Sequence, residues 1–221
     1  MTDSSKRVRV DIFSDIACPW CFIGKRRFEK GLADFAYPEN VDVYWHAYQL
    51  DPTLPEKYEG SETDYLSKMK GIDPEQLKGM LAHVTEQAAG EGLEYDFENL
   101  KVANSFTALR VLEHAKQHGK ANEVKEALLS AHFEKGLDTS DVDTLVQLAE
   151  SEGLDGAQLR SALAAGDYAD EVNADIAQAK AIGITGVPFF ILDGKYGISG
   201  AQPAEVFTNA LTQVHAGTVG A

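Results

Sequence analysis

The chain has only two cysteines in its 221 residues, Cys18 and Cys21, and they stand two residues apart in "SDIACPWCFIGKRRFEK", residues 14–30. A Cys-x-x-Cys pair can hold a metal, staple a fold or exchange electrons. Structural zinc takes four ligands, yet the sequence offers no second cysteine pair. Its six histidines are scattered, and His114 and His118, four apart on one helix face, are remote from the cysteines. A structural disulfide belongs to oxidising compartments. The N-terminus, "MTDSSKRVRVDIF", lacks the uninterrupted apolar stretch of a secretory signal, so the expected compartment is the cytosol, where a redox role is the reading the pair favours.

The flanking residues support that role. "RVRVDIF" alternates, with Val8, Val10 and Ile12 on one face, and reads as a strand ending near Ser14. A helix is expected from about Pro19 to Phe35, with Cys21, Phe28, Leu32 and Phe35 on one face. Cys18 then lies at a strand-to-helix junction, where unpaired backbone N–H groups and the helix dipole favour an anion. A thiolate there is stabilised, which lowers the thiol pKa and supplies the attacking species. Pro19 suits the first helical position because it has no N–H to leave unpaired. Cys21, one turn on and facing inward, suits attack on a mixed disulfide held by Cys18. Some 170 residues later, "TGVPFF" places Val187 and Pro188 at the start of another strand, where ladder pairing begins after the proline.

The rest of the chain must position these residues. "VDVYWHAYQL", Val41 to Leu50, reads as a second strand and completes a βαβ unit. A Pro- and Gly-punctuated connection leads to helices expected at about 61–70, 74–90, 104–118, 120–136, 141–152 and 155–165, followed by a long one at about 167–182. Strand signals return in "VPFFIL" and "KYGIS", joined by an Asp193-Gly194 turn that marks a hairpin. A last helix starts at Pro203. The order describes an α/β protein: a thioredoxin-like fold with a large all-helical insertion. The expected division is a discontinuous thioredoxin-like domain, 1–55 and 166–221, and a helical insertion domain, 56–165.

A formal charge of −15, from 35 acidic against 20 basic residues, argues against nucleic acid or anionic membrane partners. No apolar run is long enough to span a bilayer.

"SDIACPWCFIGKRRFEK", "NSFTALRVLEHA" and "GITGVPFFILDGKYGISGAQP", with the helical block between them, resemble the FrnE-type branch of the DsbA-like thioredoxin superfamily over nearly the whole chain. The resemblance implies a thiol–disulfide oxidoreductase with Cys18 as nucleophile and Cys21 as resolving thiol. It also implies a cis peptide before Pro188, with neighbouring backbone that pairs with the substrate. Substrates would be protein or small-molecule thiols and disulfides. No tightly bound cofactor is implied; glutathione or an equivalent thiol is the expected co-substrate.

The chain departs from its relatives in places. Pro19-Trp20 replaces the Pro-His of strongly oxidising DsbA proteins, so a couple between about −270 and −120 mV is expected. The family's buried acid is assigned to Asp11, with Asp15 read as a turn residue. His46-Ala47 stands where relatives more often carry Arg-Pro. Trp20 is expected exposed beside Cys18. Asn104 and Ser105 are expected to cap a helix near the active-site mouth. Kappa-class glutathione transferases and 2-hydroxychromene-2-carboxylate isomerases share the layout but usually carry serine at the first cysteine position. Their glutathione region corresponds to Gly200, Ala201 and Gln202, which makes those residues, with Asn104, thiol-site candidates. A transferase or isomerase using a bound thiol, and a non-catalytic binder working through the insertion's groove, are the competing readings. Oligomeric state is left open.

Overall fold

A computed structural model describes residues 6–56 and 58–217. Residues 1–5, 57 and 218–221, which the division at 55/56 and 165/166 includes, lie outside the described residues.

Strand β1 (Val8–Ser14) is buried at every residue but Arg9, because it is central to a four-stranded sheet ordered β2-β1-β3-β4. Strand β2 (Val41–Ala47) runs parallel to it, from Val8 opposite Val41 to Ser14 opposite Ala47. On the other side β3 (Phe189–Leu192) and β4 (Tyr196–Ser199) form an antiparallel hairpin. Its turn is Asp193-Gly194, and both residues have positive φ, as the twist of a two-residue hairpin requires. Helix α1 (Pro19–Ala33) connects β1 to β2 and packs on one sheet face beside the terminal helix, α9 (Ala204–Ala216). The Phe28, Phe190 and Phe207 rings meet there, with centroids 4.6–5.7 Å apart. Helix α8 (Ala169–Ala181) brings Ala179 to Phe13 and Ile184.

Between β2 and α8 come six helices: α2 (Glu62–Lys70), α3 (Pro74–Gly90), α4 (Phe106–Gln117), α5 (Ala121–Phe133), α6 (Val142–Ser151) and α7 (Gly156–Ala165). Four of the six starts follow side-chain capping. Ser61 and Asp64 form a capping box at α2, and Asp73, Asp141 and Asp155 cap α3, α6 and α7. The insertion is not a separate globule. Ile16 and Ala47 are buried within the α4–α7 core, while Phe22 and Ile23 of α1 are buried with Leu129 and Phe133 of α5. The seam between sheet and insertion therefore runs past the β1–α1 turn, where the cysteines lie.

Three boundaries shift for local reasons. Strand β2 stops at Ala47, not Leu50, because β1 has ended; the next amides turn to other acceptors, Tyr48 N–H to the Ser14 carbonyl and Leu50 N–H to Asp15 Oδ2. Helix α5 stops at Phe133, ahead of Gly136, which has φ +58° and where a Cβ would stand 2.6 Å from the Asn99 carbonyl oxygen. Helix α8 starts at Ala169, after Tyr168 adopts a left-handed φ of 67°. Among the described residues no helix is long and apolar enough to cross a membrane.

Candidate active site

Cys18 is the N-cap residue of α1, with extended backbone (φ −99°, ψ 112°), Pro19 in the first turn and no acidic residue there. The cap position normally holds a side-chain acceptor for the orphan amides of the first turn. Here the Cys18 sulfur occupies that place without making a capping hydrogen bond: the Cys21 N–H donates to the Cys18 carbonyl at 3.0 Å, and its nearness to the sulfur still favours a thiolate. The Cys18 thiol lies 3.4 Å from the Val187 carbonyl oxygen and donates to it. The Val187–Pro188 peptide bond is cis, and the Pro188 carbonyl accepts from Gly200 N–H at 2.8 Å. Both cysteines are free thiols, Cys18 4% and Cys21 1% exposed. Tyr95, from the connection after α3, donates its hydroxyl to the Pro19 carbonyl and ties the insertion to the first turn of α1.

The two thiols titrate as a pair. A hydrogen bond to Cys21, burial and the facing charges of Cys21 and Asp15 raise the Cys18 thiol well above its ordinary value. Burial also opposes a Cys21 thiolate, but the hydrogen bond from Cys18, the charge of Lys125 and the Ser14 hydroxyl outweigh it and lower the Cys21 thiol. The lowered pKa expected at Cys18 thus falls on Cys21, because the insertion's lysine and Ser14 face it while Asp15 faces Cys18. Once the first proton has left, the two sulfurs share the one that remains.

Asp15 replaces Asp11 as the buried acid of the site. It is 1% exposed, and its carboxylate accepts from Leu50 N–H at 2.7 Å and Ala17 N–H at 3.3 Å. Burial nevertheless raises its pKa. Asp11 is engaged elsewhere, by Arg9 at 2.6–2.8 Å and by His46 at 2.8 Å. Sequence position had favoured a strand residue, but the carboxylate nearest the dithiol comes from the turn.

A cavity of about 540 Å³ opens beside the first turn of α1. Ala17, Pro19 and Trp20 form one wall, and apolar residues of α2 and α3, Leu66 and Val84 among them, form another. Asp15 reaches its floor, and the Glu62 carboxyl, pushed up to about 7 by burial, stands on its wall. Trp20 is half-buried, not exposed: its ring lies 6.0 Å from that of His83 on α3.

The remaining candidates are committed within the protein. Asn104 Oδ1 accepts from Gln49 Nε2 and Phe106 N–H at 2.8 and 2.9 Å, and its Nδ2 donates to the Leu54 carbonyl. It borders a different cavity, with Gln49 and Arg110. Ser105 is the N-cap residue of α4 but makes no capping bond; its hydroxyl faces Asp15. Gln202 Nε2 donates to the Ser199 carbonyl at 2.9 Å, and the Ala201 carbonyl accepts from Arg27 at 2.7 Å. Gly200, at φ +79°, turns its amide to Pro188.

Comparison with known proteins agrees with this arrangement. The uncharacterized protein YwbO of Bacillus subtilis (strain 168) is 30% identical over 208 residues, 93% of this chain and 96% of that protein. A probable DsbA oxidoreductase from Streptomyces coelicolor is 42% identical, with a TM-score of 0.87 over 94% of this chain and 89% of the other. The cytosolic disulfide reductase DsbM from Pseudomonas aeruginosa, solved with GSH, shares the fold at 16% identity and a TM-score of 0.64, covering 93% and 98% of the two chains. The family model of the DSBA-like thioredoxin domain matches residues 9–212. Its match takes in the cysteine-capped helix and the Val187–Pro188 segment alike, and the chain belongs to this DsbA-like family of thiol–disulfide oxidoreductases.

Proposed function

We propose that Cys18 and Cys21 form a reversible redox pair, of the FrnE-type branch, that reduces or isomerises disulfides in the cytoplasm. The observation that carries this reading is the placement of the Cys18 sulfur: at the N-cap of α1, against the Val187 carbonyl, with Cys21 one turn behind. The shared proton moves from Cys18 to Cys21 as Cys18 attacks a substrate disulfide, so the reacting sulfur is the thiolate although Cys21 holds the charge at rest. One substrate sulfur leaves with the bond's electron pair, and a Cys18–substrate mixed disulfide remains. Cys21 then attacks Cys18 Sγ, releasing the second substrate sulfur and closing the Cys18–Cys21 disulfide. Two electrons pass from the pair to the substrate, and a thiol pool must return them. Glutathione or an equivalent small thiol is the proposed donor, and the DsbM neighbour solved with GSH supports it. Reduction is the direction a reducing compartment favours.

The cavity beside Trp20 suits an apolar group of the substrate next to the reacting sulfur. The Val187–Pro188 segment faces Cys18 through the Val187 carbonyl, and it is the proposed place for strand-like pairing with an extended peptide.

The test is equilibration of the protein in glutathione buffers of graded ratio, followed by thiol counting and mass spectrometry. Reversible formation of one intramolecular disulfide, with turnover of a model disulfide lost in Cys18→Ser, is the expected result. A pair that stays reduced, or fails to react, at every ratio would overturn the reading.

A further inference from the structure

Helix α5 sends one lysine into the protein with no hydrogen-bonding partner. Lys125 is 0% exposed, and its Nζ is an unsatisfied buried polar atom. The other deeply buried lysine shows what this fold does with an ordinary one: Lys25 Nζ is held by Glu29 at 2.6 Å and Glu126 at 2.7 Å. Burying an ammonium without such partners costs several kcal/mol in general, so an unpaired one calls for a charge that appears during function.

We infer that Lys125 is the counter-charge and proton acceptor for Cys21, a residue by which the helical insertion controls the redox pair. This rests on the exchange reaction proposed above. Each neighbouring element supplies a group that faces Lys125. Cys21 comes from α1, Cys18 from its N-cap, Asp15 from the β1–α1 turn, and Lys116 from α4 as a repelling charge. The Trp45 ring of β2 lies 5.5 Å from Nζ and offers its face to a cation. Asp15 is no substitute partner, because Leu50 N–H, Ala17 N–H and Ser105 already hold its carboxylate. Burial pushes the lysine down to about 8, so the amine and ammonium forms are both within reach near neutrality.

The role follows the proton. In the mixed disulfide Cys21 is a thiol and must become a thiolate to resolve it. Its proton passes to the Lys125 amine, and the thiolate attacks Cys18 Sγ while the ammonium faces it. The Cys18–substrate S–S bond breaks, the Cys18–Cys21 bond forms, and the electron pair leaves on the substrate sulfur, which takes a proton from solvent. Lys125 returns its proton to solvent after the anion beside it is gone. The same charge stabilises the reduced pair over the disulfide and makes the couple more oxidising than it would otherwise be.

Lys125→Met keeps the apolar stem and removes the charge, so packing is largely retained. The expected result is a thiol titration of the reduced variant shifted up by about one unit or more. Its equilibrium in glutathione should move about tenfold toward the disulfide, the equivalent of one such unit. Resolution of a preformed mixed disulfide should slow about tenfold at neutral pH and recover in alkali, with thermal stability equal to wild type or higher. An unchanged thiol titration and glutathione equilibrium in a folded variant would make Lys125 a structural residue only and overturn the inference. Wild type that never forms the disulfide would instead sink the exchange reaction itself, so the two failures are distinct. If the variant does not fold, the lysine methylene resonances of wild type decide. One lysine with a depressed pKa that falls further on oxidation supports the role, and a pKa indifferent to the redox state refutes it.

Discussion

A methyl group on Gly24 would stand 2.7 Å from Cγ of Pro188. Gly24 lies one turn past Cys21 on α1, so the helix that carries the dithiol and the loop that faces it touch through a side chain that is not there. Gly24→Ala improves helix propensity by up to about 1 kcal/mol, but overpacking a buried contact costs about 1–3 kcal/mol. The expected outcome is a net loss of about 1 kcal/mol in chemical denaturation, with a disproportionate drop in disulfide turnover as Val187 is pushed away from Cys18. A variant with full turnover would show that the loop can shift without consequence.

The two cysteines should separate cleanly by mass spectrometry. Cys21→Ser leaves the N-cap sulfur in place and removes the resolving one, so incubation with a disulfide should accumulate a one-to-one adduct on Cys18. Cys18→Ser should form no adduct at native pH, since Cys21 is 1% exposed and sits behind the first turn. Labelling at Cys21 in that variant would reverse the assigned order of attack.

Most of the fold was legible because periodicity and caps are local: Pro19, Pro74, Asp141, Asp155 and the Asp193-Gly194 turn sit where elements start or reverse. The dithiol and Pro188 were legible because their residue types are rare and chemical. The electrostatics were not. Lys125 is one of several lysines on helical segments, and nothing in "NEVKEALLSAHF" says that this one turns inward to meet Cys21. Asp15 looked like a turn residue, which it is, but burial against α4 and the β2 exit makes it the site's acid. Asp11 looked buried and active-site-bound, but its salt links run to Arg9 and His46. Gly24 gave no signal at all, since its importance lies in a contact 164 positions away.

Trp20 is expected to act on substrate and not on the sulfur chemistry. It walls the cavity and packs toward His83, but it belongs to neither the hydrogen bonds nor the charges around Cys18. Trp20→Ala should weaken binding of an apolar-flanked peptide disulfide by roughly tenfold, about 1.4 kcal/mol. The thiol titration and the glutathione equilibrium should change little. Steady-state KM for two peptides differing only in an apolar neighbour of the cysteine would read this out. An equal loss on both peptides would remove the cavity from substrate selection.

His46 clamps the sheet to α8 and makes stability pH-dependent through groups other than the dithiol. Its Nε2 faces Asp11 and its Nδ1 faces Asp175, both at 2.8 Å, and Asp175 also accepts from Ala47 N–H. Burial disfavours the imidazolium, but the two carboxylates outweigh it and raise the His46 pKa. Arg9 and His46 hold Asp11 below the ordinary carboxylate value, and His46 and Lys116 do the same for Asp175, in both cases against burial. A raised histidine contributes stability that is fully present below its unfolded value of about 6.5 and is lost as pH climbs through the folded value. The lowered carboxylates contribute stability that is present above their ordinary range and lost in acid. The clamp is therefore tightest from weakly acidic to neutral pH. His46→Gln should cost about 2 kcal/mol there, the scale of hydrogen bonds to charged groups, and distinctly less in alkali, where wild type has lost its imidazolium. Urea midpoints for both proteins across that range supply the check, and a gap that does not narrow as pH rises would mean that His46 is neutral in the folded protein.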